Sequence, residues 1–407
     1  MNRVVAIFFI LIFALSHLSK AQNDTTSIFF VTGAYDRGRI LNSNDFTDGA
    51  NGLGRKLNDF KGYTIGVGWQ TRGEQVWHHV HNFPSFGIQL YTPRLDDREE
   101  FGQPVSLMAF YRGVLLRKGI FSLKYDIDGG IAMGWKPYDA YDNSSNIVIG
   151  SKVTAHIGLT AEAAFLISKR FELALGGGFT HFSNGAVKKP NKGLNLLSPH
   201  IRLTYLVEDN QLPMRRRDYG KPKSHELQVA LGCGIKHTDV ENKLYPESNT
   251  DYPDGARFFL MDLYVSYLHQ YSHVGKYGVG VNILYDSYMG SRYRFIENGY
   301  NVEPELGDFS LRFCVAPFIA HELLIGNISI PTHFGMYIYR PSEEKLDVLQ
   351  QKPDFFQRMG LKYHLPFNMF VGVSIYAHNF AKADFLEWCL GVIPIKKMVL
   401  RSNNLKR

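Results

Sequence analysis

Apolar and polar residues take turns along most of this chain, and that alternation limits its fold more than any other feature. In residues 121–133, Phe121, Leu123, Tyr125, Ile127, Ile131 and Met133 alternate with Ser122, Lys124, Asp126, Asp128, Gly130 and Ala132. In 226–234, Leu227, Val229, Leu231 and Cys233 oppose Glu226, Gln228, Ala230 and Gly232. In 277–286, Tyr277, Val279, Val281, Ile283 and Tyr285 oppose Gly278, Gly280, Asn282 and Asp286. A period of two marks strands with one apolar face. Beyond the N-terminus no run approaches the ~18 uninterrupted apolar residues that a spanning helix needs. The other face carries charges that lipid would not tolerate. A closed barrel, greasy outside and wet inside, accounts for both faces and leaves no unpaired strand edge. A soluble sandwich would give the same alternation turned inside out. Aromatic strand ends, Tyr277 and Tyr285 among them, favour the membrane, where rings collect at the interfaces.

The first 21 residues have the form of an export signal. Arg3 is the positive start, Val4 to Leu15 the apolar core, and Ser19-Lys20-Ala21 the small-x-small cleavage site before Gln22. Export of a chain that is 14% aromatic, with 29 Phe and 23 Tyr, suits an outer-membrane barrel of a Gram-negative bacterium. The formal charge of +7 loses two when the signal leaves, too little to imply nucleic acid. Cys233, Cys314 and Cys389 are too scattered for a disulfide framework or a metal site, and read as small apolar wall residues.

About sixteen strands of spanning length can be placed, within the 8 to 26 usual for such barrels. The first eight fall near 27–37, 61–72, 85–92, 104–117, 120–136, 150–167, 170–183 and 195–207. The rest fall near 225–236, 257–271, 275–288, 308–320, 322–338, 355–365, 369–379 and 384–394. The expected fold class is therefore all-β: one transmembrane antiparallel barrel of about 16 strands, or two tandem eight-stranded barrels. Residues 22–207 form the first half, 208–224 a charged linker, 225–395 the second half and 396–407 a basic tail. The segment Met369 to Val392 echoes the hairpin near His181, so the second half reads as a degenerate repeat. Its His378-Asn379-Phe380 lacks a serine and cannot be a second site.

The chemistry gathers at Thr180-His181-Phe182-Ser183-Asn184, followed by Pro190-Asn191-Lys192-Gly193-Leu194-Asn195. His181 and Ser183 share a strand face with Phe171, Leu173, Leu175, Gly177 and Phe179. Asn195 has the parity of Leu197, Pro199, Ile201, Leu203 and Tyr205 on the next strand. Three polar groups thus continue two apolar faces at one hairpin rim. That set supplies a nucleophile, a base and a group to orient the base. Counted from a periplasmic start, the rim faces the cell exterior. Amides of Asn184 or Asn191, with loop N–H groups, are candidates for stabilising an ester oxyanion. Lys188, Lys189 and Lys192 stand where lipid phosphates would lie.

His181-Phe182-Ser183-Asn184 with Pro190-Asn191-x-Gly193-Leu194 resembles the signature hairpin of the lipid A 3-O-deacylases, outer-membrane barrel esterases that remove an acyl chain from lipopolysaccharide. The resemblance is strong over about 175–207, weaker over roughly 60–174, and not seen as a motif in the second half. It implies Ser183 as nucleophile, His181 as general base, Asn184 and Asn191 at the oxyanion site, and no cofactor. The deacylase pattern has an acid at position 195, where this chain has Asn195. An asparagine in that role is similar to outer-membrane phospholipase A, a calcium-dependent twelve-stranded barrel. The alternatives are therefore that phospholipase activity, with calcium, or a porin or structural barrel without turnover.

Other polar clusters have plainer readings. The histidines of Trp77-His78-His79-Val80-His81 cannot all share a strand face and read as a loop or interfacial group. Asp96-Asp97-Arg98-Glu99-Glu100 is a mixed-sign turn and only a weak calcium candidate. His200 reads as a lumen residue, and His378 as structural.

Overall fold

The computed structural model describes residues 27–139, 141–210, 217–238, 255–296, 301–341, 353–379 and 382–398. The expected export signal, and the tail beyond residue 398, lie outside these residues. Eight antiparallel strands form a first closed barrel. They are β1 Ser27–Ile40, β2 Asp59–Thr71, β3 Ser85–Leu95, β4 Gly102–Lys118, β5 Phe121–Trp135, β6 Val153–Leu166, β7 Phe171–Ser183 and β8 Leu194–Leu206. Pairing of Val31 with Tyr205 and of Tyr35 with Ile201 closes it. Eight more form a second closed barrel: β9 Ser224–Thr238, β10 Ala256–Gln270, β11 Gly275–Asp286, β14 Phe313–Ile325, β15 Ile328–Met336, β16 Phe355–Leu365, β17 Met369–His378 and β18 Lys382–Met398. A two-stranded ribbon, β12 Arg292–Ile296 with β13 Asn301–Glu305, forms a separate sheet that packs on the second barrel, with Tyr293 Oη 2.7 Å from Thr238 Oγ1.

Of the two arrangements open to the sequence, the tandem pair is the one adopted. β1 meets β8, and so no strand edge is left for β9 to join. Two strand placements need correction. The segment expected as a strand near 308–320 begins with a short helical turn, Phe309–Arg312, and β14 starts only at Phe313. The following turn falls at Gly326, with φ +62°, later than expected, so β15 is shorter than 322–338. β18 also continues through Lys396 and Lys397, which had been assigned to the tail, and Lys396 Nζ lies 3.3 Å from Glu226.

Both outer walls are apolar, as in exposed Leu159, Leu175, Leu197 and Ile201 of the first barrel and Val279, Ile319, Trp388 and Leu390 of the second. Cross-strand ring pairs such as Phe171–Tyr205 and Phe121–Phe165, with centroids 5.0 and 5.3 Å apart, stand near one rim. The bores are packed. In the first, Arg202 lies 3.0 Å from Asp126 and 2.8 Å from Glu162, and His200 lies 2.7 Å from Asp36. In the second, Lys236 pairs with Asp286 at 2.7 Å, Arg358 with Glu387, and Phe356, Tyr376 and Phe385 stack. Unpaired charges would be costly there, and pairing keeps a polar interior compatible with a closed wall. All these groups are buried, so they fill the bores and do not line open channels.

The two barrels touch at both rims. At one, His237 of β9 meets the β7–β8 loop. At the other, His81 Nε2 lies 2.8 Å from the Leu324 carbonyl at the end of β14. β7 and the β2–β3 connection are far apart in strand order, but tilt reconciles the two contacts. A thirteen-residue strand tilted by about 40° drifts about 28 Å around the wall, or about four strands. Opposite ends of distant strands thereby face the same neighbour.

Candidate active site

β7 and β8 run antiparallel with His181 opposite Asn195 and Phe182 opposite Leu194. Phe182 is buried in an apolar cluster with Phe46, Phe101, Trp135, Val148 and Leu194 that plugs this end of the bore. Burial of Phe182 inward forces its neighbours His181 and Ser183 outward, because side chains alternate. His181 and Asn195 are half-buried on the wall face that carries exposed Phe179 and Leu197, and Ser183 is 8% exposed at the rim.

The imidazole is oriented. Its Nδ1 and Asn195 Oδ1 are 2.7 Å apart, and Asn195 Nδ2 donates to Ser43 Oγ at 3.3 Å. With the Asn195 oxygen accepting, Nδ1 carries the proton and Nε2 keeps its lone pair. Gly193 closes over the ring. A Cβ placed there would lie 2.8 Å from His181 Cε1, and its φ of +76° suits glycine alone. The Ser183 hydroxyl makes no hydrogen bond among the described residues, a common state without substrate, since catalytic bonds often tighten only in the complex.

The two asparagines expected at the oxyanion position have different surroundings. Asn184 is committed: its Nδ2 donates to the Lys188 carbonyl at 2.6 Å and to Ser151 Oγ at 3.2 Å. It braces the turn, and both of its amide hydrogens are engaged. Asn191 accepts from the Asn184 backbone N–H through Oδ1 at 3.2 Å, and its Nδ2 makes no hydrogen bond among the described residues. Gly185 and Ala186 follow with φ of +62° and +64°, so the chain turns sharply straight after Asn184. Lys192 is exposed, and Lys188 and Lys189 are half-buried on the same loop.

Ser43, Ser151, Gly193 and His237 escape sequence reasoning as members of this site. Only Gly193 carried a local signal, as a glycine inside the motif. The other groups singled out in the sequence lie elsewhere. His79 meets the Gly73 carbonyl at 2.6 Å and His81 meets Leu324, while His78 Nδ1 accepts from Gln75 N at 3.4 Å, so each ring has its own partner. Asp97 caps the helix Arg98–Phe101, accepting from Glu99 and Glu100 N–H at 3.1 and 3.0 Å. Glu100 accepts from Gly52 N at 2.8 Å and from Ser145, and burial pushes its carboxyl above the usual range. His200 faces the bore as expected. His378 also points inward, 3.1 Å from the Phe355 carbonyl and 3.4 Å from Asp384.

Two family models match the chain. One, described as lipid A 3-O-deacylase (PagL), covers residues 63–204; the other, described as acyloxyacyl hydrolase, C-terminal domain, covers residues 225–397. Among solved structures, the outer membrane enzyme PagL is 14% identical, with 42% of this chain and 97% of that chain covered and a TM-score of 0.29. CdiB from Acinetobacter baumannii is 10% identical over 91% of this chain and 60% of that chain, with a TM-score of 0.18. A triple mutant of Rhodopseudomonas blastica porin is 11% identical over 89% and 98%, with a TM-score of 0.17. No curated protein matches the chain.

Proposed function

This chain belongs to the lipid A 3-O-deacylase family, as an outer-membrane enzyme that deacylates lipid A and acts on ester bonds, and from that premise we propose that Ser183 is its nucleophile. The observation that carries the reading is the His181–Asn195 pair at 2.7 Å, beside Ser183, on the lipid-facing wall at a barrel rim. A base with a free Nε2, held by an amide oxygen behind it, is what a serine needs to lose its proton.

Lipid A lying against the outer wall presents an acyl ester at the height of the rim. Ser183 Oγ attacks the ester carbonyl as His181 Nε2 takes the hydroxyl proton. The tetrahedral oxyanion is met by the Asn191 amide and by the N–H groups of Gly185 and Ala186, which have no hydrogen-bond partner among the described residues. One such donor contributes on the order of 3–4 kcal/mol to the transition state. Collapse breaks the ester C–O bond, and His181 returns the proton to the leaving sugar hydroxyl. Water, activated by the same imidazole, then cleaves the acyl-serine and releases the fatty acid. Lys188, Lys189 and Lys192 hold the lipid A phosphates at the rim. Asn195 orients His181 without adding a negative charge, so the imidazolium is less stabilised than beside a carboxylate.

Mass spectrometry of lipid A tests the assignment. Expression of the intact protein removes one acyl chain, and Ser183→Ala leaves the lipid A pattern of cells lacking the protein. Acyl loss that persists in Ser183→Ala refutes serine catalysis. Fatty-acid release from phospholipid micelles only with calcium would point instead to the phospholipase.

A further inference from the structure

Among the described residues the second barrel has no counterpart of the His181–Ser183–Asn195 hairpin, yet it holds the loop of the first. Resting on the assignment of Ser183, we propose that the second barrel is a positioning element for the catalytic loop, and that His237 is the residue through which it acts.

Residues 184–193 carry Asn191 and the turn after Ser183, and they lie outside the β7–β8 ladder. On the bore side they are anchored by the first barrel alone: Lys192 N–H donates to the Ile147 carbonyl at 3.0 Å and Gly193 N–H to Val148 at 3.1 Å. On the other side the anchors come from β9. The His237 N–H donates to the Ala186 carbonyl at 2.9 Å, and His237 Nδ1 accepts from the Lys189 N–H at 3.3 Å. One residue of the second barrel therefore grips the turn at two points, Ala186 within the Asn184–Lys188 brace and Lys189 just past it. Beneath it, a Cβ at Gly185 would rest 3.4 Å from Leu386 of β18.

The second barrel is shaped to leave this grip open. β9 stays paired with β10 up to Thr238 opposite Ala256, but its pairing with β18 stops at Ile235 opposite Leu386. Past Ile235 no described residue of β18 pairs with β9, and the His237 N–H is taken by the Ala186 carbonyl of the first barrel's loop. Such an edge is ordinarily covered in some way, and here the cover is the catalytic loop itself. The loop's placement matters because a displacement of about 1 Å in a reacting group can cost on the order of a hundredfold in rate.

The test uses the full-length protein in detergent or vesicles, with folding checked by resistance of the barrels to cold SDS. His237→Ala lowers kcat about ten- to hundredfold on lipid A, and equally on a small soluble ester such as p-nitrophenyl butyrate, with KM changed less than threefold. His237→Asn, whose amide oxygen stands near the position of Nδ1, restores kcat to within about threefold. His237→Gln carries its acceptor one bond further and does not. It serves as the loss variant should His237→Ala fail to fold. Three outcomes overturn the proposal: kcat of the loss variant within twofold of wild type, a defect seen with lipid A alone, or no rescue by asparagine. Ser183→Ala, run in parallel, keeps failure of this proposal separate from failure of the serine assignment.

Discussion

The hairpins β7–β8 and β17–β18 hold corresponding places in two barrels of eight strands, and each has a histidine near the end of its first strand. In the first barrel His181 faces the lipid side, meets Asn195 across the ladder and has Ser183 two residues on. In the second, His378 faces the bore, where Phe355 and Asp384 hold it. The second hairpin therefore lacks more than a serine: its histidine has the opposite parity. A shift of one residue along a strand moves a side chain from one face of the wall to the other. Chemistry on a membrane lipid is open only to the outward face.

The strongest way to break this comparison is to remove each histidine in turn. His181→Gln lowers kcat about a thousandfold, whereas His378→Gln leaves it within about twofold, read by fatty-acid release from purified lipid A. Equal losses would mean that both barrels contribute catalytic groups. With His181 as the base, turnover also climbs with pH across the range in which an imidazole gives up its proton, and a flat profile between pH 5 and 8 excludes the histidine base.

A smaller effect sharpens what position 195 does. Asn195→Asp places a carboxylate on the Nδ1 proton, with Ser43 still able to donate to it. It raises kcat on lipid A about three- to tenfold. A decrease would show that the amide is needed for more than orientation, such as its 3.3 Å bond to Ser43.

The smallest effect concerns the far rim, where the barrels meet through the segment after the helix Val76–Val80. Burial lowers His78 to about 4 and also pulls His81 below its usual value. Both take protons less readily in the folded protein than when unfolded. Their contribution is complete above the ordinary imidazole pKa and fades as pH falls, for His78 towards about 4. Amide hydrogen exchange over residues 76–83, corrected for intrinsic rates, therefore loses protection between pH 7 and 4.5, and His78→Gln makes that loss shallower. Unchanged protection would mean that the rim contact does not depend on neutral histidines.

Much of this was legible in the chain because strand parity is local. The alternation in 121–133 placed Lys124 and Asp126 in the bore and Leu123 on the wall, as found. The same rule put His181, Ser183 and Asn195 on one lipid-facing surface. The misplaced turn at Gly326 shows where parity gives no help. The boundary expected between 308–320 and 322–338 falls inside β14, where His321 and Glu322 continue the strand, one outward and one inward, with Glu322 buried against Lys362 at 3.4 Å. The commitment of Asn184 to Lys188 was equally unreadable, because a short amide can brace a turn or point into a site with the same sequence around it.

By itself, then, the sequence determined most of the strands, their two faces and the three outward polar groups, since each follows from neighbours one or two residues apart. Tertiary structure alone decided that β1 closes on β8, giving two barrels where the same alternation would serve one of sixteen strands. It also decided that β9 parts from β18 past Ile235 and bonds instead to the β7–β8 loop of the first barrel. Both outcomes are pairings between segments far apart in the chain, and no period along the sequence specifies which edge meets which.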